Sequence, residues 1–296
     1  MKIILSRKGF DAGIGKVPNP IFQSGELCSL PIPENAPGSQ SKRYEEIKIN
    51  NLSLGAIVHQ LTRGKIRPDD PAHLDPDLNP ESIPRQVGWK PVFGQAGTAE
   101  THLQNHNVRD GDIFIFYGWF RQIEPYEGSY RYVKNAPDLH VIFGWLQIER
   151  RVPVFNRSEI PSWALDHAHF VRERHSNPNS IYISTDHLQL PGTSIKLPGA
   201  GIFPKFDPVL CLTAPGMSRS KWRLPPWFYP AQKKSRLSYH TNMGRWESRK
   251  EHVLLNTVGR GQEFVLDCQD YPEAIAWLCD IFSTCCFWHQ QNLSAE

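Results

Sequence analysis

Proline and glycine interrupt this chain so often that they set the first limit on its fold. The 296 residues include 25 prolines and 21 glycines. Proline breaks helices and glycine favours turns, so we exclude an all-helical fold and a regular alternation of strand and helix. Aromatic residues make up 11% of the chain and need a core to bury them, so we expect a folded protein.

Two apolar segments give the strongest strand signals. Residues 113–120 follow an Asp-Gly-Asp turn, and residues 140–148 repeat the apolar pattern after a polar excursion. They predict an antiparallel pair within a barrel or a curved sheet. Gly118 and Gly144, inside these segments, indicate sharp bends or a close approach of another backbone.

Shorter elements surround this pair. Strands are predicted at 2–5, 44–49, 130–133, 180–184, 209–213 and 263–266. Helices are predicted at 53–61 and 98–105, with one clear amphipathic helix at 271–287. We predict an α+β fold with a mixed, mostly antiparallel curved sheet or barrel, few short helices and a C-terminal amphipathic helix. We assign it to one compact domain over residues 1–296.

Charge and hydropathy narrow the environment. The net charge is +3, from 33 basic and 30 acidic residues, which allows a local basic cleft but implies no broad nucleic-acid-wrapping surface. Apolar runs such as 113–119 fall short of the roughly 18 residues of a membrane span. The first apolar run is too short for a signal peptide, so we expect a cytoplasmic protein whose six cysteines are reduced.

The common catalytic signatures are missing. The sequence has no phosphate-binding P-loop, no GxGxxG after a strand, no HExxH, no GxSxG and no zinc deaminase motif. The missing motifs therefore argue against three classes of enzyme: nucleotide kinases, dinucleotide oxidoreductases and zinc hydrolases. We expect no nucleotide cofactor and no metal.

The first candidate site follows the first strand, at residues 6–11. Arg7 and Lys8 could hold a phosphate, and Asp11 could stabilise positive charge or activate a water. Gly13 and Gly15 then allow a close backbone approach to a ligand. The alternative is a surface cluster of ion pairs that contributes little to stability.

Two further candidates contain amide and imidazole groups. Gln95 opens a polar segment at a predicted helix start, where free N–H groups can bind anions; the alternative is a capped helix. His167 and His169 have the alternate spacing of a metal pair. No carboxylate follows at a known metal spacing, so we favour ordinary hydrogen bonding and a substrate contact for His169.

The fourth candidate lies in two polar segments, at residues 237–246 and 259–264. Their side chains suit the reading of base edges and stacking on a base, and the alternative is a hydrogen-bonded loop corner. The candidates are Tyr239, His240, Asn242, Arg245, Trp246, Arg260, Gln262 and Glu263.

These motifs resemble the third of the nucleotide-modification-associated domain families. The resemblance is carried by residues 3–11, 18–21, 29–33, 110–120, 144–148 and 259–264, and it runs from residue 1 to about 287. It implies a role in the biology of modified DNA bases, in phages and in phage defence. A weaker similarity to EVE- and PUA-like barrels covers about 106–190 and implies a pocket for a modified base.

The residues and the resemblance together give three hypotheses. The leading one is a DNA glycosylase that acts on a flipped, modified base, with Asp11 as the catalytic carboxylate and Glu263 as the second candidate. Arg7 and Lys8 would hold phosphate, while Gln95, His240, Asn242 and Gln262 would contact the base beside Trp246 or Tyr239. The alternatives are a non-enzymatic reader of modified bases and a transferase that hypermodifies them.

Overall fold

The computed structural model describes residues 1–34, 41–49, 52–171, 178–230, 236–259 and 263–293. The strands are β1 (Lys2–Arg7), β2 (Asn19–Ile21), β3 (Ile32–Pro33), β4 (Lys48–Ile49), β5 (Leu52–Ser53), β6 (Ala72–His73), β7 (Val92–Ala96), β8 (Ile113–Tyr126), β9 (Ser129–Tyr132), β10 (Leu139–Pro153), β11 (Asn179–Ser184), β12 (Ala200–Ile202), β13 (Lys221–Leu224), β14 (Trp246–Ser248), β15 (Val253–Asn256) and β16 (Glu263–Asp267). The α-helices are α1 (Leu54–Leu61), α2 (Gly97–Asn105), α3 (Ala168–Val171) and α4 (Glu273–Leu293). Short 3-10 helices connect several of them.

One large sheet organises the molecule. Its main path runs β16-β1-β8-β10-β11-β7, and β2, β9 and β12 pair along its side. All neighbours on the main path are antiparallel except β1 and β8, which are parallel. The α+β, mostly antiparallel prediction is therefore confirmed. The barrel alternative is wrong, because the described strands form a path with two ends, β16 and β7, and no backbone ladder closes it.

The two strongest sequence signals form the centre of this sheet. β8 and β10 pair in antiparallel register, and their apolar runs are buried. A Cβ on Gly118 would lie 2.8 Å from the backbone oxygen of Lys8, and one on Gly144 would lie 2.8 Å from that of Gly201. The predicted close backbone approach is thus confirmed at both glycines.

Two predicted strands are wrong in part. Residues 44–46 form a 3-10 helix, Tyr44–Glu46, before the two-residue strand β4. Residues 208–210 form a second 3-10 helix, where Asp207 Oδ1 accepts a hydrogen bond from Val209 N at 2.8 Å. Local capping and tertiary contacts thus override the strand propensity of both segments.

The C-terminal helix completes the main core. α4 buries Ala274, Leu278, Ile281 and Phe282, and the Phe282 ring lies 5.2 Å from that of Trp145 on β10. All six cysteines are free thiols. In the described ranges, none of the helices has the length and apolar character that a bilayer crossing requires.

Gly118→Ala tests the close packing of β1 on β8. The new methyl group would collide with a backbone oxygen, so we expect a loss of about 1–3 kcal/mol in the free energy of unfolding. Urea denaturation measures it. Gly259→Ala is the matched control, because its Cβ would meet no atom of the described residues within 4 Å. Equal unfolding midpoints for the two variants would contradict the packing.

Candidate functional site

A hydrogen bond between side chains connects the two end strands of the sheet, β16 and β7. Glu263 begins β16, and its Oε1 accepts hydrogen bonds from Lys8 Nζ at 2.8 Å and from Gln95 Nε2 at 2.5 Å. Gln95 belongs to β7, at the opposite end of the path. Glu263 is only 1% exposed. We call this group, Lys8, Gln95 and Glu263, the seam cluster.

Strand alternation explains how the sequence builds the seam cluster. Ser6 pairs with Glu263 across the ladder, so their side chains share one face of the sheet. Lys8 lies two residues beyond Ser6, and strand alternation places its side chain on that face too. The Lys8 ammonium lies 4.4 Å from the centroid of the Phe93 ring, which adds a cation–π contact. A buried carboxylate needs such a paired cation to offset its desolvation.

Two polar atoms beside the seam cluster are not satisfied. Glu263 Oε2 and Ser6 Oγ are buried and have no hydrogen-bond partner among the described residues. Buried polar atoms are nearly always paired, so this spot fits a further polar group or a water molecule.

An open cleft of about 850 Å³ lies at the end of β1. Its wall includes Arg7, Asp11, Trp119, Asp138 and Arg219. Arg7 donates to the backbone oxygen of Gly259 at 3.1 Å, and the Arg219 guanidinium lies 4.1 Å from the Trp119 ring centroid. Two fixed guanidinium groups, an aromatic ring and carboxylates therefore share one cleft.

Hydrogen bonds hold both Asp11 and His140 in this cleft. Asp11 Oδ1 accepts hydrogen bonds from Gly13 N at 2.7 Å and Ile14 N at 2.8 Å, which uses one carboxylate oxygen in a turn. His140 accepts a bond on Nδ1 from Trp222 Nε1 at 2.9 Å. Burial, and then the charges of Arg7 and Arg219, lower the pKa of His140 to about 3, so its ring is neutral.

A histidine cluster surrounds Asp75, and the charge of Lys8 acts on its member His169. His167 Nε2 lies 3.4 Å from Asp75 Oδ1, and His169 Nε2 lies 3.6 Å from Asp75 Oδ2. His73 Nε2 lies 4.0 Å from the same Oδ2. Although burial opposes it, the hydrogen-bonding and charge effects of His167 and His169 lower the pKa of Asp75. Burial also acts to lower the pKa of His169, but the hydrogen bond and the charge of Asp75 outweigh it and raise that pKa.

Other predicted base contacts make no side-chain hydrogen bond to the seam cluster among the described residues. Tyr239 is 42% exposed and stacks on His102, with ring centroids 4.3 Å apart. His240 is buried, with Nδ1 2.9 Å from Ser238 O and Nε2 3.3 Å from Val258 N. The ring of His240 is therefore engaged at both nitrogens, and burial lowers its pKa to about 4.

The remaining members of the fourth candidate support local structure. Trp246 is buried and donates to the backbone oxygen of His240 at 2.8 Å. Asn242 accepts from Gly244 N at 2.9 Å, and Arg245 donates to Asn256 O at 3.1 Å. Arg260 and Gln262 lie outside the described residues.

Sequence reasoning missed six side chains of these sites. The cleft adds Trp119, Asp138, His140 and Arg219, and the histidine cluster adds His73 and Asp75. The only sequence signal for the last two was their alternate spacing, which matches that of His167 and His169.

The fold and sites define an α+β protein with an open sheet and a buried ion pair at its seam. The chain belongs to the family described as nucleotide modification associated domain 3, whose model matches residues 2–267. No curated protein and no solved structure matches it. Its family supports a role in the biology of nucleotide modification and a partner related to nucleic acid.

Lys8→Met tests whether the seam cluster holds the fold together. It leaves a buried, unpaired carboxylate, so we expect a loss of about 3–5 kcal/mol in the free energy of unfolding. Adding Glu263→Gln should recover most of this loss, since a neutral amide needs no cation. Chemical denaturation of the double-mutant cycle measures both effects.

Arg67→Met provides the control for this cycle. Arg67 pairs with Asp69 and Asp70 at the surface, where its side chain is 65% exposed, so little change is expected. Additive losses in the double variant would show that Lys8 and Glu263 are not coupled.

Proposed function

We propose that this protein binds a modified nucleobase extruded from DNA and cleaves its N-glycosidic bond. One observation carries the proposal: the cleft at the end of β1 combines Asp11 with Arg7, Arg219 and Trp119. Its volume of about 850 Å³ lies within the range of small-molecule sites, about 300–1,000 Å³. The family association with nucleotide modification agrees with such a ligand.

The two arginines would bind the flanking phosphates. Guanidinium groups recognise phosphate through paired hydrogen bonds, and both are held in place before a ligand arrives. Arg7 is fixed by Gly259, and Arg219 by the face of Trp119. The planar Arg219–Trp119 pair offers a surface on which a base can stack.

Asp11 would supply the catalytic carboxylate. Its charge would stabilise the positive charge that develops on the sugar, and it would direct a water to C1′. The water oxygen bonds to C1′ as the C1′–N bond breaks, and the electron pair leaves with the base. The water proton goes to Asp11, and the departing base is protonated by solvent.

Glu263 takes a positioning role in this proposal. Within the described residues, the only charged contact of Glu263 is the 2.8 Å bond to Lys8. Lys8 directly follows β1 and precedes the loop that carries Asp11. Breaking that pair would release the end of β1. Lys8 is thus held away from phosphate, and Arg7 takes over that function.

A reader of modified bases is the second candidate. The observation that favours it is the engagement of Asp11 Oδ1 by Gly13 N and Ile14 N, which leaves less of the carboxylate for chemistry. A reader would bind the modified base in the same cleft and release no product.

Base release from modified DNA tests the glycosylase. The protein is incubated with hydroxymethylated, glucosylated and unmodified phage DNA, and free bases and abasic sites are measured by mass spectrometry. We expect release from one modified DNA, and at least about a 100-fold lower rate for Asp11→Asn. Asp207→Asn is the matched control, because Asp207 makes a similar turn outside the cleft.

The possible results separate the three hypotheses. Full turnover by Asp11→Asn would exclude its catalytic role. Selective retention of one DNA without release supports the reader, and a mass increase that depends on an added donor supports the transferase. Both results contradict the glycosylase.

Arg7→Met and Arg219→Met test the phosphate contacts. Each variant should weaken DNA binding and lower the slope of log affinity against log salt by about one, since each removes one phosphate contact. Fluorescence anisotropy at several salt concentrations measures the slope. Arg131→Met, at the exposed position of β9, is the control. Unchanged slopes for both cleft variants would place the DNA elsewhere.

A further inference from the structure

The geometry points to a second site, for a divalent transition-metal ion, at His73, Asp75 and His169. One ligand atom from each of these residues lies within 4.8 Å of the other two. Ligands of a tetrahedral zinc ion stand about 3.4 Å apart, given metal bonds of about 2.0–2.1 Å. The separations from Asp75 Oδ2, 3.6 Å to His169 and 4.0 Å to His73, need only a small inward movement.

The outer contacts orient both imidazoles for metal binding. His73 Nδ1 lies 2.8 Å from Glu34 Oε2, and His169 Nδ1 lies 2.7 Å from Asn179 Oδ1. Each acceptor oxygen requires a proton on Nδ1, so a neutral ring presents the Nε2 lone pair toward Asp75. Metal-binding histidines are held in this way by a carboxylate or carbonyl oxygen.

An ordinary ion pair accounts poorly for His73 and His169 together beside one carboxylate. One protonated ring of the two would neutralise Asp75, and the other, whose proton is held on Nδ1, would direct its Nε2 lone pair at an Asp75 oxygen. His167 differs, because its Nδ1 accepts a hydrogen bond from His169 N at 3.4 Å, so its neutral ring carries the proton on Nε2, 3.4 Å from Asp75 Oδ1. A dication between His73, Asp75 and His169 would remove the repulsion.

The surrounding charges allow a cation here. The positive charge of Lys8 opposes protonation of His169. This charge is already paired with Glu263 at 2.8 Å. Asp77 is not available as a ligand, since Arg85 binds both of its oxygens at 2.6 Å. The side chains of His73 and His169 remain 14% and 10% exposed, so an ion can reach them.

Two imidazoles and one carboxylate suit zinc, iron or cobalt better than magnesium or calcium, which prefer oxygen ligands. Three protein ligands leave a position open for water or a substrate, as in catalytic metal sites. Close packing also holds the site, because a Cβ on Gly94 would lie 2.2 Å from the His169 ring.

Direct metal binding tests this inference without any base release. Chelator-treated full-length protein is titrated with Co²⁺ and followed by visible absorption, and with Zn²⁺ by calorimetry. We expect one equivalent to bind, with loss of binding in Asp75→Asn and His169→Gln. Glu34→Gln should weaken it by about 10- to 100-fold, since it only orients His73. His187→Gln changes an exposed histidine and should bind as the unaltered protein does.

The unaltered protein decides the matter even where a variant fails to fold. Its Co²⁺ form should show hyperfine-shifted imidazole N–H resonances, from the Nδ1 protons held by Glu34 and Asn179. Absence of one-equivalent binding, absence of these resonances, or full binding by a folded Asp75→Asn would overturn the site. Metal binding without base release would leave the site standing and contradict only the glycosylase.

Discussion

The rest of the molecule depends on the hydrogen-bonded ion pair that the buried carboxylate of Glu263 makes. The bond that this carboxylate accepts from Gln95 joins β16 to β7, the two ends of a sheet whose backbone ladder stays open, and its bond from Lys8 holds the end of β1. A hydrophobic pair of equal volume could be as stable, because burying two charges is costly. The ion pair instead fixes which residues meet, since a shift of one position on β1 would turn Lys8 away from Glu263.

The seam cluster is connected to both candidate sites through neighbouring residues of β1 and β7. Arg7 and Lys8 are neighbours in sequence and leave the chain on opposite faces. Arg7 therefore reaches Gly259 and the cleft, while Lys8 reaches Glu263 and the Phe93 ring of β7. On β7, Gln95 points to the seam and the Gly94 N–H donates to Asp75 Oδ1 at 2.7 Å. Two adjacent residues on each strand thus connect the cleft to the histidine cluster.

Local patterns predicted the parts of this arrangement that depend on local sequence. The apolar runs of β8 and β10 and the start of α2 follow from periodicity, and Arg7 and Asp11 follow from a polar cluster after a strand. Glu263 and Gln95 were both candidates, but 168 residues separate them, so only the folded structure reveals their bond. His73 escaped notice because its strand has two residues in a proline-rich segment. His240 and Trp246 have polar groups that the backbone engages inside the core, which residue type alone does not reveal.

Lys8 links the two sites electrostatically as well as by its position. Its ammonium lies between Glu263 and the cluster around Asp75, where its charge already opposes protonation of His169. A dication bound at His73, Asp75 and His169 would repel Lys8 and strengthen its need for an anionic partner. Replacing Glu263 by a neutral group would then leave Lys8 facing the metal without compensation. A buried carboxylate at the seam is therefore consistent with a cation site behind it, and the seam cluster has a physical reason to be charged.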